Sequence, residues 1–280
     1  MADQAPAPSH LNVLFITQDD PFYVPQFFEE FVAICQGDAA RDISIKGVVI
    51  QAPLGKKSLR ALVAQMLGFY GWFDFLRMGF RFAFAKVMNK IAVKLFKGKF
   101  PGAFSVEHVL LRAGWPILHT RSVNTPEFRE QIAPLKLDLI QSVAASQKFG
   151  ADLLKATRYG CMNIHNAKLP LNRGMLPNFW SLYNSDREPV SGMTVHLMNE
   201  KLDDGPIVLQ EEITPDRSES LHALILRTKR LNAHLVLRAL NMFVKGAPPL
   251  LPNDASRATY NTFPTREDVK KFKAKGLRLL

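Results

Sequence analysis

Short apolar runs recur along this chain, each closed by polar or turn-forming residues, and they constrain the fold more than any other feature. Leu11 to Ile16 is almost wholly apolar and leads into Asp19, Asp20 and Pro21, which reads as a buried strand and its turn. Ile43–Ile50, Val109–Leu111, Ile117–Leu118, Leu137–Val143, Met162–His165, Thr194–Met198 and Ile207–Ile213 read as further strands or pieces of strands. Between and after them lie stretches with helical spacing. Phe22 to Cys35 places Val24, Phe27, Phe28, Phe31 and Val32 on one side, and Glu219 to Lys245 reads as one long helix. Strands alternating with helices predict an α/β fold, a Rossmann-like, mostly parallel sheet flanked by helices.

Several functions are excluded by what the turns lack. The first strand is followed by Thr17-Gln18-Asp19-Asp20-Pro21, with no glycine, so the dinucleotide fingerprint is missing. No Walker-type phosphate loop, H-E-x-x-H or G-x-S-x-G occurs, and no Cys/His spacing suits a metal. The two cysteines, Cys35 and Cys161, cannot build a disulfide framework. Residues 1–10 have neither the basic nor the apolar region of a signal peptide, so the expected location is cytoplasmic, or peripheral at the inner membrane surface.

The positive charge is concentrated. Of a net charge of +11, most comes from residues 56–99, where Lys56, Lys57, Arg60, Arg77, Arg81, Lys86, Lys90, Lys94, Lys97 and Lys99 face Asp74 alone. The tail 265–280 adds six basic residues against two acidic ones. The segment from about 56 to 100 reads as a helical insert, apolar and aromatic over Ala61–Leu76 and amphipathic over Phe84–Lys97. Its apolar stretch is shorter than the roughly 20 residues a membrane span needs. A lid, a homodimer contact, a membrane-interface helix and a tRNA contact all fit this pattern. The chain divides into residues 1–213, an α/β domain carrying this insert, and residues 214–280, a C-terminal helix and basic tail packed on the same domain.

Residues 163–212 carry the chemistry. In a strand, Asn163 and His165 point the same way, and a strand's carboxyl end is where open α/β sheets bind ligands. Leu202-Asp203-Asp204-Gly205-Pro206 puts carboxylates in a loop just before a strand. An amide, an imidazole and a carboxylate suffice for acyl transfer without a covalent intermediate: the amide donates to the developing oxyanion, the imidazole moves protons and the carboxylate holds the imidazolium.

Asn163-Ile164-His165, Leu169-Pro170, Arg173-Gly174, Gly192-x-Thr194-x-His196 and Leu202-Asp203-x-Gly205, in that order, resemble the folate-dependent formyltransferases that act on glycinamide ribonucleotide, methionyl-tRNA and nucleotide-linked amino sugars. The resemblance extends upstream through residues 138–147 and covers roughly 135–215. It implies a Rossmann-like fold without a dinucleotide, 10-formyltetrahydrofolate as formyl donor and no metal. Carried over, Asn163, His165 and Asp203 are the catalytic trio. Asn163 and a protonated His165 would stabilise the tetrahedral oxyanion, and Asp203 would hold His165 and assist proton removal through water. The pterin would lie between Ser146-Gln147-Lys148-Phe149 and the loop Asn199-Glu200-Lys201-Leu202, largely on backbone groups.

Asn166-Ala167-Lys168 departs from the family, and Asp204 stands where Gly or Thr is frequent. Lys168 would put a cation near the acceptor, suiting a phosphorylated one, or would simply be exposed. Only 67 residues follow Ile213, too few for the C-terminal barrel of the tRNA enzymes, while Tyr260 and Phe263 resemble the closing segments of sugar formyltransferases, where an aromatic lies near the acceptor. Core packing fits these two aromatics equally. The expected acceptor is therefore a small-molecule amine, first an amino sugar linked to a nucleotide or a lipid. Methionyl-tRNA, glycinamide ribonucleotide, water (a 10-formyltetrahydrofolate hydrolase) and a non-catalytic membrane- or nucleic-acid-associated role are the alternatives.

Overall fold

A computed structural model describes residues 10–51, 59–186 and 191–280. The start of the insert, with Lys56 and Lys57, and most of residues 1–10 lie outside the described residues. Five parallel strands are β1 (Leu11–Gln18), β2 (Ile43–Gln51), β3 (Ile117–Leu118), β4 (Leu139–Val143) and β5 (Cys161–His165), with Arg173–Gly174 forming the short β6 elsewhere. β7 (Ser191–Leu197) and β8 (Ile207–Ile213) continue the sheet antiparallel, giving the order β3-β2-β1-β4-β5-β7-β8. The first five strands follow the doubly wound arrangement expected of alternating strands and helices.

Alternation along the strands builds two cores. Leu11, Val13 and Phe15 of β1 face one layer, where they meet Phe27, Phe28 and Phe31 of α1 (Val24–Ile34). Leu14 and Ile16 face the other. Helices α2 (Leu59–Tyr70) and α3 (Trp72–Lys90) form a hairpin broken at Gly71, whose φ of 75° suits a residue without a Cβ. α4 (Val106–Ala113) contributes Val106, Val109 and Leu110 to the first core. α5 (Pro126–Ile132) and α6 (Ala151–Leu154) cover the second core with Phe128, Ile132 and Leu153. After α7 (Pro177–Tyr183), the long α8 (Leu221–Val244) runs along the first layer.

Val109–Leu111 is therefore not a strand. Ser105 caps α4 by accepting the His108 amide at 2.9 Å, and Gly114 closes it in a left-handed conformation. Three consecutive apolar residues fit either period, and these caps decide between them.

Residues after 213 are woven into the same body. A two-residue parallel ladder joins Arg173–Gly174 to β9 (Tyr260–Asn261), and Phe272 of α9 (Arg266–Ala274) stacks on Phe179 at 4.6 Å. Phe263 packs on Phe69 of the hairpin, with ring centroids 5.2 Å apart.

The hairpin is tied down through polar groups as well. His222 of α8 lies 2.9 Å from the Tyr23 hydroxyl through Nδ1 and 3.0 Å from Arg81 through Nε2. A guanidinium only donates, so Nε2 accepts and the neutral ring carries its proton on Nδ1. Burial, with Arg81 and Arg77 nearby, pushes the His222 pKa down to about 4. An unfolded histidine titrates near 6.5, so the unfolded chain binds more protons between those values and stability falls as pH drops through that window. After discounting for solvent screening, His222 should contribute about 1–2 kcal/mol of that loss. Thermal melts from pH 7 to pH 4.5 should show the decline, and His222→Gln should flatten it; an unchanged slope in the variant would dissociate the effect from this residue.

Candidate active site

Asn163 and His165 leave β5 on the face opposite Met162 and Ile164, whose side chains enter the first core. On the neighbouring β7, Met193 and Val195 also enter that core, so Thr194 and His196 share the face of Asn163 and His165. Asn163 pairs directly with His196 in the ladder, and their side chains meet at 3.3 Å, Nδ2 to Nε2.

The carboxylate arrives from the loop between β7 and β8. A Cβ at Gly205 would sit 1.8 Å from the Leu197 carbonyl oxygen, so only glycine lets the loop close this tightly on β7. Asp203, at φ 51°, then turns its side chain inward. Oδ2 lies 3.6 Å from His165 Nδ1 and accepts the Gly174 amide at 2.9 Å, while Oδ1 lies 3.7 Å from His196 Nε2. Asn253 holds the loop by donating to the carbonyls of Asp203 and Gly205, each at 3.0 Å.

Both imidazoles are oriented by backbone carbonyls. His165 Nε2 donates to Asn172 at 2.9 Å and His196 Nδ1 to Leu197 at 2.9 Å, because a carbonyl can only accept. In the neutral rings the bare nitrogens, Nδ1 of His165 and Nε2 of His196, both face the Asp203 carboxylate. Burial pushes the His165 pKa down, against the pull of Asp203 and the Asn172 carbonyl, and His196 and Lys229 push it further down. Burial alone would raise the Asp203 pKa, but the neighbouring His165 and His196 rings and the Gly174 amide outweigh it and bring it to about 2. The Asp203 carboxylate lies between the two rings, each with one nitrogen turned toward it. His165 and Asp203 are buried and Asn163 is half-buried, so the amide is the member nearest to solvent.

A second network locks the adjoining turn. Arg173, fully buried, donates to Asp204 at 2.5 Å, to the Tyr260 hydroxyl at 2.8 Å and to Asn253 Oδ1 at 2.8 Å. Asp204 is thereby the counter-ion that this arginine requires. A Cβ at Gly174 would lie 2.3 Å from the Asn261 carbonyl oxygen, which explains the Arg-Gly pair.

The three residues singled out from the sequence are thus brought together, and His196, Asn253 and the Asn172 carbonyl join them. His196 was visible as the end of Gly192-x-Thr194-x-His196; the other two carry no signal in a single sequence. Lys168 is ion-paired with Glu212, so its charge is already answered. Gly192 faces Lys168 closely, its would-be Cβ 3.1 Å from that of Lys168. Of the two residues that sequence left between acceptor and core, Tyr260 is exposed beside Arg173 and Phe263 is packed.

The proposed pterin loops have distinct characters. Ser146 donates to Gln51 through its amide and hydroxyl, Gln147 accepts the Val123 amide, and the Lys148 carbonyl accepts from Asn124. Phe149 is buried in the second core, so its ring cannot meet a ligand and only its backbone is free to serve one. Opposite, Asn199 is bonded to the Lys201 amide and to Asp204, and Glu200, Lys201 and Leu202 are exposed. A surface depression of 470 Å³ between Glu30, Arg230 and His234 does not include the trio.

The family model described as formyl transferase matches residues 84–240, more than half of the chain. The chain belongs to the formyl transferase family. A methionyl-tRNA formyltransferase of Kosmotoga olearia is 32% identical over 164 residues, which is 59% of this chain and 52% of that protein. The chain spans about half the length of the curated relatives it matches. Among solved structures, a glycinamide ribonucleotide transformylase 1 from Symbiobacterium toebii superposes with a TM-score of 0.56 at 14% identity, covering 88% of this chain and 95% of that one. A sugar N-formyltransferase from a Shewanella species gives 0.54 at 18% identity, covering 94% and 87%. These likenesses confirm the Rossmann-like α/β fold.

Two substitutions test the geometry. Gly205→Ala should destabilise the protein by at least about 2 kcal/mol, since the obstructing atom is backbone and cannot rotate away; urea denaturation measures this, and an unaffected midpoint would contradict the close approach. Asp203→Asn removes the charge that raises the His165 pKa, so NMR titration of that ring should show it titrating lower still, whereas an upward shift would mean the carboxylate is not its partner.

Proposed function

We propose that the chain transfers the formyl group of 10-formyltetrahydrofolate to a primary amine. The observation that carries this reading is the convergence of the Asn163 amide, the His165 ring and the Asp203 carboxylate on one face of the sheet. The amine attacks the formyl carbon, and the Asn163 amide, already oriented by His196, donates to the oxygen as it becomes an oxyanion. The proton shed by the amine enters the cluster of His165, His196 and Asp203, whose bare ring nitrogens face a carboxylate that stabilises an imidazolium. It leaves again on N10 of the departing tetrahydrofolate as the carbon–nitrogen bond to the folate breaks. The pterin is assigned to the backbone of 146–149 and the exposed 199–202 loop, where Leu202 offers apolar surface.

The acceptor we favour is a phosphorylated small amine, first an amino sugar carried on a nucleotide or a lipid. Lys229 on α8 is half-buried and makes no hydrogen bond or ion pair among the described residues; burial pushes its pKa down, Asp20 favours its charge, and that charge in turn lowers the His165 pKa. Such a cation beside the reacting centre suits an anionic acceptor. Tyr260, exposed over Arg173, adds an aromatic surface for a sugar or base. A second reading, methionyl-tRNA as acceptor, is favoured by the names of the curated relatives that share residues of this segment.

A screen of amines with the folate donor, read by mass spectrometry for one added formyl group, should return a formamide and tetrahydrofolate in equal amounts. Formate alone would mean that water is the acceptor, and salt-sensitive RNA binding without turnover would remove the enzymatic reading. Asn163→Ala should lower kcat by about 10²–10³. His165→Ala should abolish turnover while folate affinity stays within a few-fold; undiminished turnover would refute the mechanism.

A further inference from the structure

Helix α3 is apolar on two opposite sides. Met78 and Ala85 face the protein and are buried. Phe73, Leu76, Phe80, Phe84 and Val87, spaced three and four residues apart, form a continuous stripe on the other side, and all five are exposed; Phe73 is 79% and Phe80 75% accessible. A contiguous apolar stripe left exposed on the outside of a molecule marks a surface that meets a partner or a lipid. Trp72 begins the stripe, and Leu95 and Phe96 extend it past the helix end.

The charges around the stripe say what covers it. Arg77 borders it on one side and Lys90 on the other, both exposed, with Lys94, Lys97 and Lys99 beyond. The single acid of the hairpin, Asp74, is engaged by Lys273 of α9 at 3.9 Å, which joins the basic C-terminal helix to the same patch. We propose that the α2–α3 hairpin docks this protein on an anionic lipid surface, its aromatic stripe in the headgroup layer and its bordering cations on the lipid phosphates. An amphipathic helix with aromatics on one face and lysines along its edges binds in this way. No helix among the described residues is long and apolar enough to cross a membrane, so the hairpin lies on the surface. A second copy of the chain meeting the same face would bring two sets of like charges together. A nucleic acid would need cations at the centre of the patch, where phenylalanines stand.

The inner side of the hairpin touches the carboxyl end of β1 and the start of α8. Lys86 approaches Asp19 at the end of β1 at 3.8 Å, and Arg81 reaches His222. Docking would thus bring that end of the sheet to the lipid, although the proposal does not depend on which reaction the site performs.

The test is sedimentation of the full chain with vesicles of phosphatidylglycerol and phosphatidylcholine, against vesicles of phosphatidylcholine alone. Binding should be at least about tenfold stronger to the anionic vesicles and should weaken at high salt. Phe73→Ser/Phe80→Ser/Phe84→Ser should lose at least about tenfold in binding, with thermal melting and turnover of a soluble amine unchanged. Should that variant fold poorly, Lys90→Glu/Lys94→Glu, exposed and apart from the core, should show the same loss. Failure of the intact chain to bind anionic vesicles overturns the proposal. So does equal binding by both variants, dimer formation abolished by the serine variant, or binding to RNA but not to vesicles.

Discussion

The contact on which the site depends is between two pieces of backbone. Gly205 lies against the Leu197 carbonyl so closely that any side chain there would overlap it. That approach folds residues 198–206 back over β7 instead of letting them run out into solvent. The carboxylate of Asp203 then falls between His165 and His196. The loop cannot relax easily, because Asn253 takes two of its carbonyls and Arg173 takes the neighbouring Asp204. A buried carboxylate is costly unless answered, and here the answer comes from two rings and one amide donated by Gly174. Polar groups that face one another in a dry setting interact more strongly than in water, which is what a group meant to hold or pass a proton needs.

The same logic explains why the C-terminal residues belong to the site's support. Tyr260 and Asn261 pair with Arg173 and Gly174, and Asn253 anchors both the arginine and the Asp203 loop. Phe263 and Phe272 continue this attachment into the hairpin and α7. Residues 250–272 thus reach the loop of Asp203 by hydrogen bonds and the hairpin by aromatic packing. A perturbation of the tail would be felt at the carboxylate through Asn253 and Arg173.

What was legible in the sequence follows the range of the interactions. The apolar run Leu11–Ile16 and the alternation around Asn163 are local, and each specifies a strand and a face from neighbouring residues alone. The spacing of Asp203 and Gly205 is local too, and the glycine signals a close approach without saying to what. Val109–Leu111 was illegible because three apolar residues in a row carry no period; the caps at Ser105 and Gly114 had to be weighed with them. The pairing of Asp204 with Arg173 spans 31 positions and that of Arg173 with Tyr260 spans 87, so neither shows in one sequence. Phe149 illustrates the converse. It sits in a loop that resembles a ligand loop, yet its side chain belongs to the core.

The hairpin brings the electrostatics of the molecule into one frame. Its outer cations are exposed and largely without acidic neighbours, while its inner ones are matched: Lys86 with Asp19 and Arg81 with the His222 ring. Asp19 and Asp20 also cap helices, accepting the amides of Val106 and of Phe22, Tyr23 and Val24. The end of β1, which in dinucleotide-binding relatives of this fold class presents free amides to a phosphate, is therefore filled by the chain's own carboxylates. Among the described residues, that end presents negative charge at the strand terminus and has cations to the side, on α3 and at Lys229 of α8. An anion approaching here would be drawn away from the strand end and toward those helices.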